Sequence, residues 1–112
     1  MKMFIEPKAV YLHREFVDFR KAINGLAAMV EDELPLMSGA LFVFCNKGRD
    51  KLKILYWDTT GFALWHKRLE RDKFKWPTQF LDAHIELNEA QLHWLLSGFD
   101  VVGHKEVRYQ TM

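Results

Sequence analysis

The sequence is poor in cysteine and proline, and it has no long apolar run. Its 112 residues include one cysteine, Cys45, and three prolines. A single cysteine excludes an internal disulfide, and this favours a reducing, cytoplasmic location. No apolar run approaches the ~20 residues that a membrane-spanning helix needs, and no cleavable leader pattern is found, so we expect no contact with a membrane.

The sequence also lacks an excess of charge of either sign. Sixteen Lys and Arg residues face fifteen Asp and Glu residues, which leaves a formal charge of +1. Binding to nucleic acid must therefore depend on local clusters of Lys and Arg. Apolar residues make up 49% of the chain, enough for a core, so we predict a single domain over residues 1–112. Its core should span about residues 9–100, with residues 101–112 as a late strand or a flexible tail.

Hydrophobic periodicity predicts an α+β fold built on an antiparallel sheet. A β-prone stretch at residues 9–12 predicts a brief edge strand or extended arm. Residues 40–45 are apolar at every position, which is typical of a central strand covered on both faces. Alternation then predicts strands at residues 51–57, 62–69 and 74–76. Short turns link these last four strands into an antiparallel four-stranded β-meander, packed with two α-helices.

The first predicted helix has apolar residues at three- and four-residue steps from Phe19 to Leu34. Asp18 precedes these residues and is suited to be its N-cap. Gly25 lies in its middle, where glycine costs ~1 kcal/mol relative to alanine. We therefore expect another backbone to approach the helix closely at Gly25.

The second predicted helix carries clear signals at both ends. Asn88 and Gln91 have the three-residue spacing of a capping box, and Leu87 with Leu92 has the spacing of a hydrophobic staple. Gly98 is suited to end the helix because glycine adopts the left-handed conformation found after helix C-termini. The sequence therefore predicts a helix over about residues 89–97.

The most prominent candidate site is a set of cations on two adjacent hairpins. Alternate residues of a strand project to the same face, so cations at such positions on the two hairpins could form one stripe that neutralises several phosphates. Trp57 would provide a stacking plane or brace the ribbon. The alternative is a solvated strand surface, whose cations prevent aggregation and are balanced by nearby acids such as Asp50 and Glu70. The candidate cations are Arg20 at the first helix, Lys47, Arg49, Lys51 and Lys53 at one hairpin, and Lys67, Arg68 and Arg71 at the next.

Other chemistry has little support in the sequence. The five histidines lie far apart without the spacing of zinc ligands, so we predict no metal or cofactor. Cys45 lies in an apolar strand, where its thiol should stay protonated and inert. A two-metal nuclease would need Asp18, Asp50, Asp58 and Asp82 to converge, but their predicted positions in caps and turns explain them without catalysis. We therefore predict no catalytic residues.

Three stretches, at residues 18–26, 39–77 and 87–100, resemble a family of insertion-sequence proteins. The middle stretch carries the strongest match. Together the motifs resemble the accessory protein of the IS-sixty-six family, the TnpB-type product of the second small reading frame. That protein is much shorter than the RNA-guided nucleases that share the TnpB label. The matching motifs are Leu41-Phe42-Val43-Phe44, Lys53-Ile54-Leu55-Tyr56-Trp57-Asp58, Lys67-Arg68-Leu69-Glu70 and Phe74-Lys75-Trp76-Pro77.

The resemblance implies a bacterial protein encoded beside a transposase and needed for efficient transposition, a form of DNA recombination by a mobile element. We predict a non-catalytic accessory factor that binds element DNA at the transposon ends, the transposase, or both. One alternative is a protein-interaction adaptor without DNA contact, which would need an exposed apolar patch around Trp57, Phe62 and Trp65. The other is a nuclease-like enzyme. The oligomeric state stays open.

Overall fold

A five-stranded mixed sheet forms the centre of the computed structural model, which describes residues 9–30, 39–79 and 82–99. The order across the sheet is β4-β3-β2-β1-β5, with β1 parallel to β2 and the other neighbours antiparallel. The α+β class with two helices is therefore confirmed. Within the described residues the elements are β1 (Val10–His13), α1 (Ile23–Ala28), β2 (Leu41–Cys45), β3 (Lys51–Asp58), β4 (Gly61–Arg68), β5 (His84–Leu87) and α2 (Glu89–Leu96).

The predicted four-stranded meander is only partly present. Strands β2, β3 and β4 form three of its strands, but residues 74–76 are not a strand. The Phe74 N–H donates to the Arg49 carbonyl at 2.6 Å, and the Trp76 N–H donates to the Phe74 carbonyl at 3.1 Å. Phe74 and Trp76 are both buried. The alternation of buried and exposed residues at positions 74–76 therefore comes from two side chains that enter the core from a loop. The prediction of a strand there is wrong.

Strand β1 lies inside the sheet, so the prediction of an edge strand there is also wrong. Val10 pairs with Leu41 of β2 on one side and with Leu87 of β5 on the other. Strand β5 itself was not predicted, because four alternating residues are a weak local signal. Its conformation depends on pairing with β1, in which His13 meets His84, 71 residues further along the chain.

Both faces of the sheet are covered. We call them the α2 face and the α1 face, after the helix that packs on each. Every residue of β2 is buried, which confirms the prediction of a central strand. The α2 face joins Leu41, Val43, Leu52 and Ile54 to Leu92, Leu95, Leu96, Phe74 and Trp76. The α1 face joins Phe42, Phe44 and Leu55 to Val17, Leu26, Ala27 and Val30.

Helix α2 has the capping predicted for it. The Asn88 Oδ1 accepts the Gln91 N–H at 2.7 Å, and the Gln91 Oε1 accepts the Asn88 N–H at 3.0 Å. After the helix, Gly98 takes a φ of +89°, and the Phe99 N–H donates to the Trp94 carbonyl at 2.8 Å. This is the hydrogen bond of a Schellman motif. Both ends of α2 are therefore determined by local sequence.

Helix α1 begins later than predicted. Asp18 is not its N-cap: the Asp18 carboxylate accepts the Arg20 N–H at 2.9 Å, and the Asp18 carbonyl accepts the Lys21 N–H at 3.1 Å. These bonds form a turn, and the helix starts at Ile23. Its predicted continuation to Leu34 lies outside the described residues. No helix in the described part of the chain is long and apolar enough to cross a membrane.

The environment of Gly25 differs from the expected close backbone. A Cβ atom at Gly25 would lie 3.2 Å from the Cβ and 3.3 Å from the Cγ of Lys21. The neighbour is therefore the aliphatic stem of a side chain one turn earlier, and the expectation of a second backbone is wrong. Glycine leaves room for Lys21 to lie along the start of α1.

Candidate nucleic-acid interface

The register of β3 and β4 decides which of the predicted cations share a face. Lys51 lies opposite Arg68, and Lys53 lies opposite His66. Directly opposed residues of an antiparallel pair project to the same side, so these four side chains lie on the α1 face. Lys67 precedes Arg68 and projects to the α2 face. The predicted stripe is therefore divided between the two faces of the sheet.

Two of the predicted phosphate ligands have partners inside the protein. The side chain of Lys53 is 9% exposed, and its Nζ donates to the carbonyls of Phe19 at 3.1 Å and Lys21 at 3.2 Å. The Lys67 Nζ donates at 2.9 Å to the carbonyl of Leu96, the last residue of α2, where the helix dipole favours a cation. Both lysines stabilise the fold, and their ammonium groups are directed to backbone carbonyls of the protein rather than to a ligand.

Two backbone hydrogen bonds bring the turn after β2 to the segment after β4. The Leu69 N–H donates to the Asp50 carbonyl at 2.8 Å, and the Phe74 N–H donates to the Arg49 carbonyl at 2.6 Å. The two predicted groups of cations therefore meet at one end of the sheet. We call this surface the basic end, and it consists of Lys47, Arg49, Lys51, Arg68, Arg71 and Lys73.

The side chain of Asn46 shapes the turn that carries the basic end. Its Oδ1 accepts the N–H groups of Asp50 at 3.2 Å and Lys51 at 3.0 Å, and its Nδ2 donates to the Asp50 carboxylate at 2.8 Å. This last bond lowers the pKa of Asp50 and keeps it ionised. Arg49, rather than Gly48, takes the left-handed conformation of the turn, with a φ of +62°.

Most cations of the basic end are not neutralised by neighbouring acids. The Arg68 Nε lies 3.1 Å from the Glu70 carboxylate, but both side chains are more than half exposed, so this pair is weak. The Lys73 Nζ donates to the Gly48 carbonyl at 3.1 Å. No hydrogen bond or salt bridge within residues 9–30, 39–79 and 82–99 involves the side chains of the remaining four, Lys47, Arg49, Lys51 and Arg71.

A groove of about 1030 Å³ opens beside the basic end. Residues 14–20, which form what we call the first wall, line it together with residues 46–48, Lys51, His66 and Thr78. The first wall is fixed to the sheet because the Val17 N–H donates to the Cys45 carbonyl at 2.9 Å. Lys51 belongs to both the groove and the basic end, so the two surfaces are continuous.

Arg20 lies in the wall of the groove, but a carboxylate of the same chain compensates its charge. Its Nη2 lies 2.6 Å and its Nε 2.9 Å from the Asp18 Oδ2. Hydrogen bonds from Arg20 lower the pKa of Asp18 to about 2, so the pair stays charged at neutral pH. Arg20 therefore contributes less to an anion site than the unpaired cations of the basic end.

The position of His66 in the groove, beside the cations of the hairpins, is not predicted by the sequence, which suggests this residue only as a candidate metal ligand. Desolvation, followed by the charges of Lys53, Lys51 and Arg68, holds the pKa of His66 below its ordinary value. Its ring meets Phe19 edge-on, with centroids 6.1 Å apart. The observation that identifies His66 as a candidate is the pairing register of β3 and β4, which places its neutral imidazole among three cations.

We expect DNA bound in the groove to raise the pKa of His66, because a phosphate favours the protonated ring. Affinity should then increase as pH falls from about 7.5 to 5.5. The pKa can be measured by NMR titration of the imidazole, assigned with the variant His66→Gln, with and without saturating duplex. An unchanged pKa in the complex would show that no phosphate lies near His66.

Trp57 lies away from the basic end. It is six positions from Lys51 along β3, which corresponds to ~20 Å in a strand. Its ring packs edge-to-face on Phe62, with centroids 5.1 Å apart, and it is half-buried. Trp57 therefore braces the β3–β4 hairpin, and a stacking role would require a ligand that spans this distance.

Three of the residues considered for catalysis, Cys45, Asp18 and Asp50, are explained by the fold. Cys45 is fully buried, and burial raises the pKa of its thiol to about 12, so the thiol is protonated as predicted. Asp18 is bound to Arg20, and Asp50 is bound to Asn46. Among the described residues, no three His, Cys, Asp or Glu side chains form a group able to hold a metal ion. The aspartates considered for a two-metal site therefore do not converge there.

Comparison with known proteins identifies a family. Residues 8–106 match a family model described as IS66 Orf2 like protein. The chain is 38% identical over 93 residues to the uncharacterized protein y4hO of Sinorhizobium fredii, covering 81% of this chain and 80% of that relative. It is 37% identical over 86 residues to the uncharacterized protein y4jC of the same organism, covering 75% and 73%. No solved structure gives a significant match. The family match confirms the resemblance seen in the motifs.

Proposed function

Because the chain belongs to the IS66 Orf2-like family, it is an insertion-sequence-associated protein, and we propose that it is a non-catalytic accessory factor that binds element DNA through the basic end. The observation that carries the proposal is the junction between residues 46–50 and residues 69–74. Its backbone hydrogen bonds join the two segments that carry Lys47, Arg49 and Arg71, whose side chains are exposed. Lys51 continues that surface into the groove.

Double-stranded DNA is the anion that best suits this surface. The cations are spread over two chain segments, and the DNA backbone presents a regular series of phosphates with one negative charge per ~1.7 Å of axis. Lysine and arginine contacts to phosphate fix position and carry no sequence information. The proposal therefore includes binding with little preference among sequences, and choice of the transposon ends would come from the transposase.

The proposal is tested by fluorescence anisotropy of labelled duplexes between 50 and 200 mM salt. Contacts from Lys47, Arg49, Lys51 and Arg71 give a slope of log affinity against log salt of about −3.6 for each bound copy, so affinity should fall about 10²-fold over that range. Terminal repeats of the element and an unrelated duplex of equal length should bind with affinities within about tenfold of each other. Absence of binding at 50 mM salt would refute the proposal.

Arg49→Gly separates DNA binding from stability. The left-handed conformation costs an L-residue ~1–2 kcal/mol, whereas glycine adopts it freely but has ~0.5–1 kcal/mol more chain entropy to lose. The variant should therefore be as stable as the parent or up to about 1.5 kcal/mol more stable, as measured by urea unfolding. It should also bind duplex several-fold more weakly, because one phosphate contact is lost.

The matched control for Arg49→Gly is Lys21→Ala, which removes an exposed cation outside the basic end. It keeps the Lys21 carbonyl that accepts from Lys53. Its affinity for duplex should stay close to that of the parent. Equal losses of affinity in both variants would show that net charge, and not the basic end, controls binding.

A second candidate function is a protein-interaction adaptor that contacts the transposase. The exposed patch expected around Trp57, Phe62 and Trp65 is not found, since all three are half-buried. The observation in favour of an adaptor is that Phe62, Leu64 and Trp65 lie on an edge strand, β4. Co-purification of the tagged protein with its transposase in high salt, combined with no binding to duplex at 50 mM salt, would favour this function over the first.

A further inference from the structure

The outer edge of β4 is suited to pair with another strand. Strand β4 ends the sheet, and its outer side has no hydrogen-bonded neighbour among the described residues. It runs for eight residues without proline and pairs with β3 without interruption. The opposite edge, β5, has four residues. A long, regular edge presents a row of free N–H and C=O groups to an approaching strand.

Charge is distributed unevenly along β4. Its first half contains Phe62, Ala63, Leu64 and Trp65, all half-buried and without charge, whereas its last three residues are His66-Lys67-Arg68. Among the β3 residues paired with β4, the one acid is Asp58, opposite Gly61 at the start of β4, while Glu70 lies just beyond the cationic end beside Arg68. A strand that complements this edge should be apolar at its centre and cationic only at the end that lies near Asp58.

The strand that meets these requirements is β4 itself, and we propose that β4 pairs antiparallel with β4 of a second copy of the chain. Antiparallel pairing places the cations of each copy beside the uncharged first half and Asp58 of the other. Parallel pairing would instead align both sets of cations side by side. The antiparallel contact is isologous, so it closes with two copies and leaves no further β4 edge.

The faces of the sheet limit the register of this pair. In an antiparallel pair, directly opposed residues project to the same side of the sheet. The two-fold axis must therefore pass beside a residue that lies opposite the same residue of the second copy. With Leu64 on the axis, Trp65 faces Ala63 of the other copy, which places a large side chain against a small one. Phe62 then faces His66. The apolar half of each strand is covered. Lys67 faces Gly61 of the second copy, which pairs with Asp58, so this lysine and this acid lie on the same face of the sheet.

This pairing would bring two DNA-binding surfaces together, and this consequence alone rests on the proposed function. A two-fold axis between antiparallel strands is perpendicular to the sheet, so the α1 faces of both copies lie on the same side. The grooves beside Lys51 and His66 would then face one duplex together. A dimer would thus double the number of phosphate contacts, whereas the pairing itself requires no DNA.

The test is disulfide formation by Leu64→Cys in the full chain under mild oxidation. Facing Cα atoms in an antiparallel pair are about 4.5–5.5 Å apart, within the range that a disulfide spans. The native Cys45 is buried, with a thiol pKa of about 12, and should not compete. We expect Leu64→Cys to form a covalent dimer within minutes. The control Glu86→Cys, at an exposed residue of β5, should form no covalent dimer under the same conditions.

Sedimentation of the parent protein gives a second readout that does not depend on a variant. We expect a dimer of the 13.3 kDa chain at micromolar concentrations without DNA. A monomer at all concentrations, or equal cross-linking of both cysteine variants, would overturn the pairing. If deletion of residues 101–112 converts such a monomer to a dimer, the chain's own tail occupies the edge and the proposal is also wrong. A monomer that binds DNA refutes the pairing alone, and a dimer that does not bind DNA refutes the proposed function alone.

Discussion

Lys53→Glu is expected to lose about 3–5 kcal/mol of folding free energy, a large part of the 5–15 kcal/mol typical of a domain. The carboxylate would be buried against the carbonyls of Phe19 and Lys21, which accept hydrogen bonds and cannot donate them. Lys53→Met keeps most of the apolar stem and should lose about 1–3 kcal/mol. Both values can be measured by urea unfolding followed by circular dichroism.

Arg68→Glu is the matched control for Lys53→Glu, because it reverses a charge on the same face of the same hairpin. The Arg68 side chain is 60% exposed, and its only described partner is Glu70. Its unfolding free energy should change by less than about 0.5–1 kcal/mol. Equal stability of Lys53→Glu and the parent would contradict the structural role assigned to the buried ammonium.

The triple variant Lys47→Ala, Arg49→Gly, Arg71→Ala should bind duplex about 10²- to 10³-fold more weakly than the parent at 50 mM salt. Three of the four proposed phosphate contacts are lost, and each contributes mainly through counterion release. All three side chains are exposed, so the fold should be retained. Affinity is measured by anisotropy, with circular dichroism as a check of folding.

The control for the triple variant is Lys21→Ala combined with Lys75→Ala, which removes exposed cations that are not part of the basic end. Its affinity should fall by less than about tenfold. If both variants lose affinity equally, the location of the cations is unimportant and the interface proposed for the basic end is wrong.

The features that could be predicted from the sequence are those determined by neighbouring residues. The fully apolar β2, the alternation in β3 and β4, and the capping box at Asn88 each depend on a few consecutive residues. The alternation that predicted a strand at residues 62–69 agrees with the structure, because Ala63 and Trp65 pack on the α2 face while Phe62 and Leu64 pack on the α1 face. Such elements can be predicted because the local sequence pattern and the packing of the whole sheet favour the same structure.

The features that could not be predicted depend on contacts between distant segments. Strand β1 is interior because β5 joins it from the far end of the chain. Lys51 and Lys53 project to the same face of β3, yet only Lys53 is buried. The reason is that the segment before α1 folds back over Lys53. His66 became a candidate only when the register placed it among cations. Sequence periodicity gives the face of a side chain, but not what covers that face.

The most direct test of the central claim is the salt dependence of DNA binding by the parent and the triple variant on the same duplex. We predict a slope four times as steep for the parent as for the variant, about −3.6 against about −0.9 for each bound copy, since only Lys51 of the four assigned contacts remains. Parallel slopes would contradict this prediction, because the cations of the basic end would then not be the groups that displace counterions from DNA.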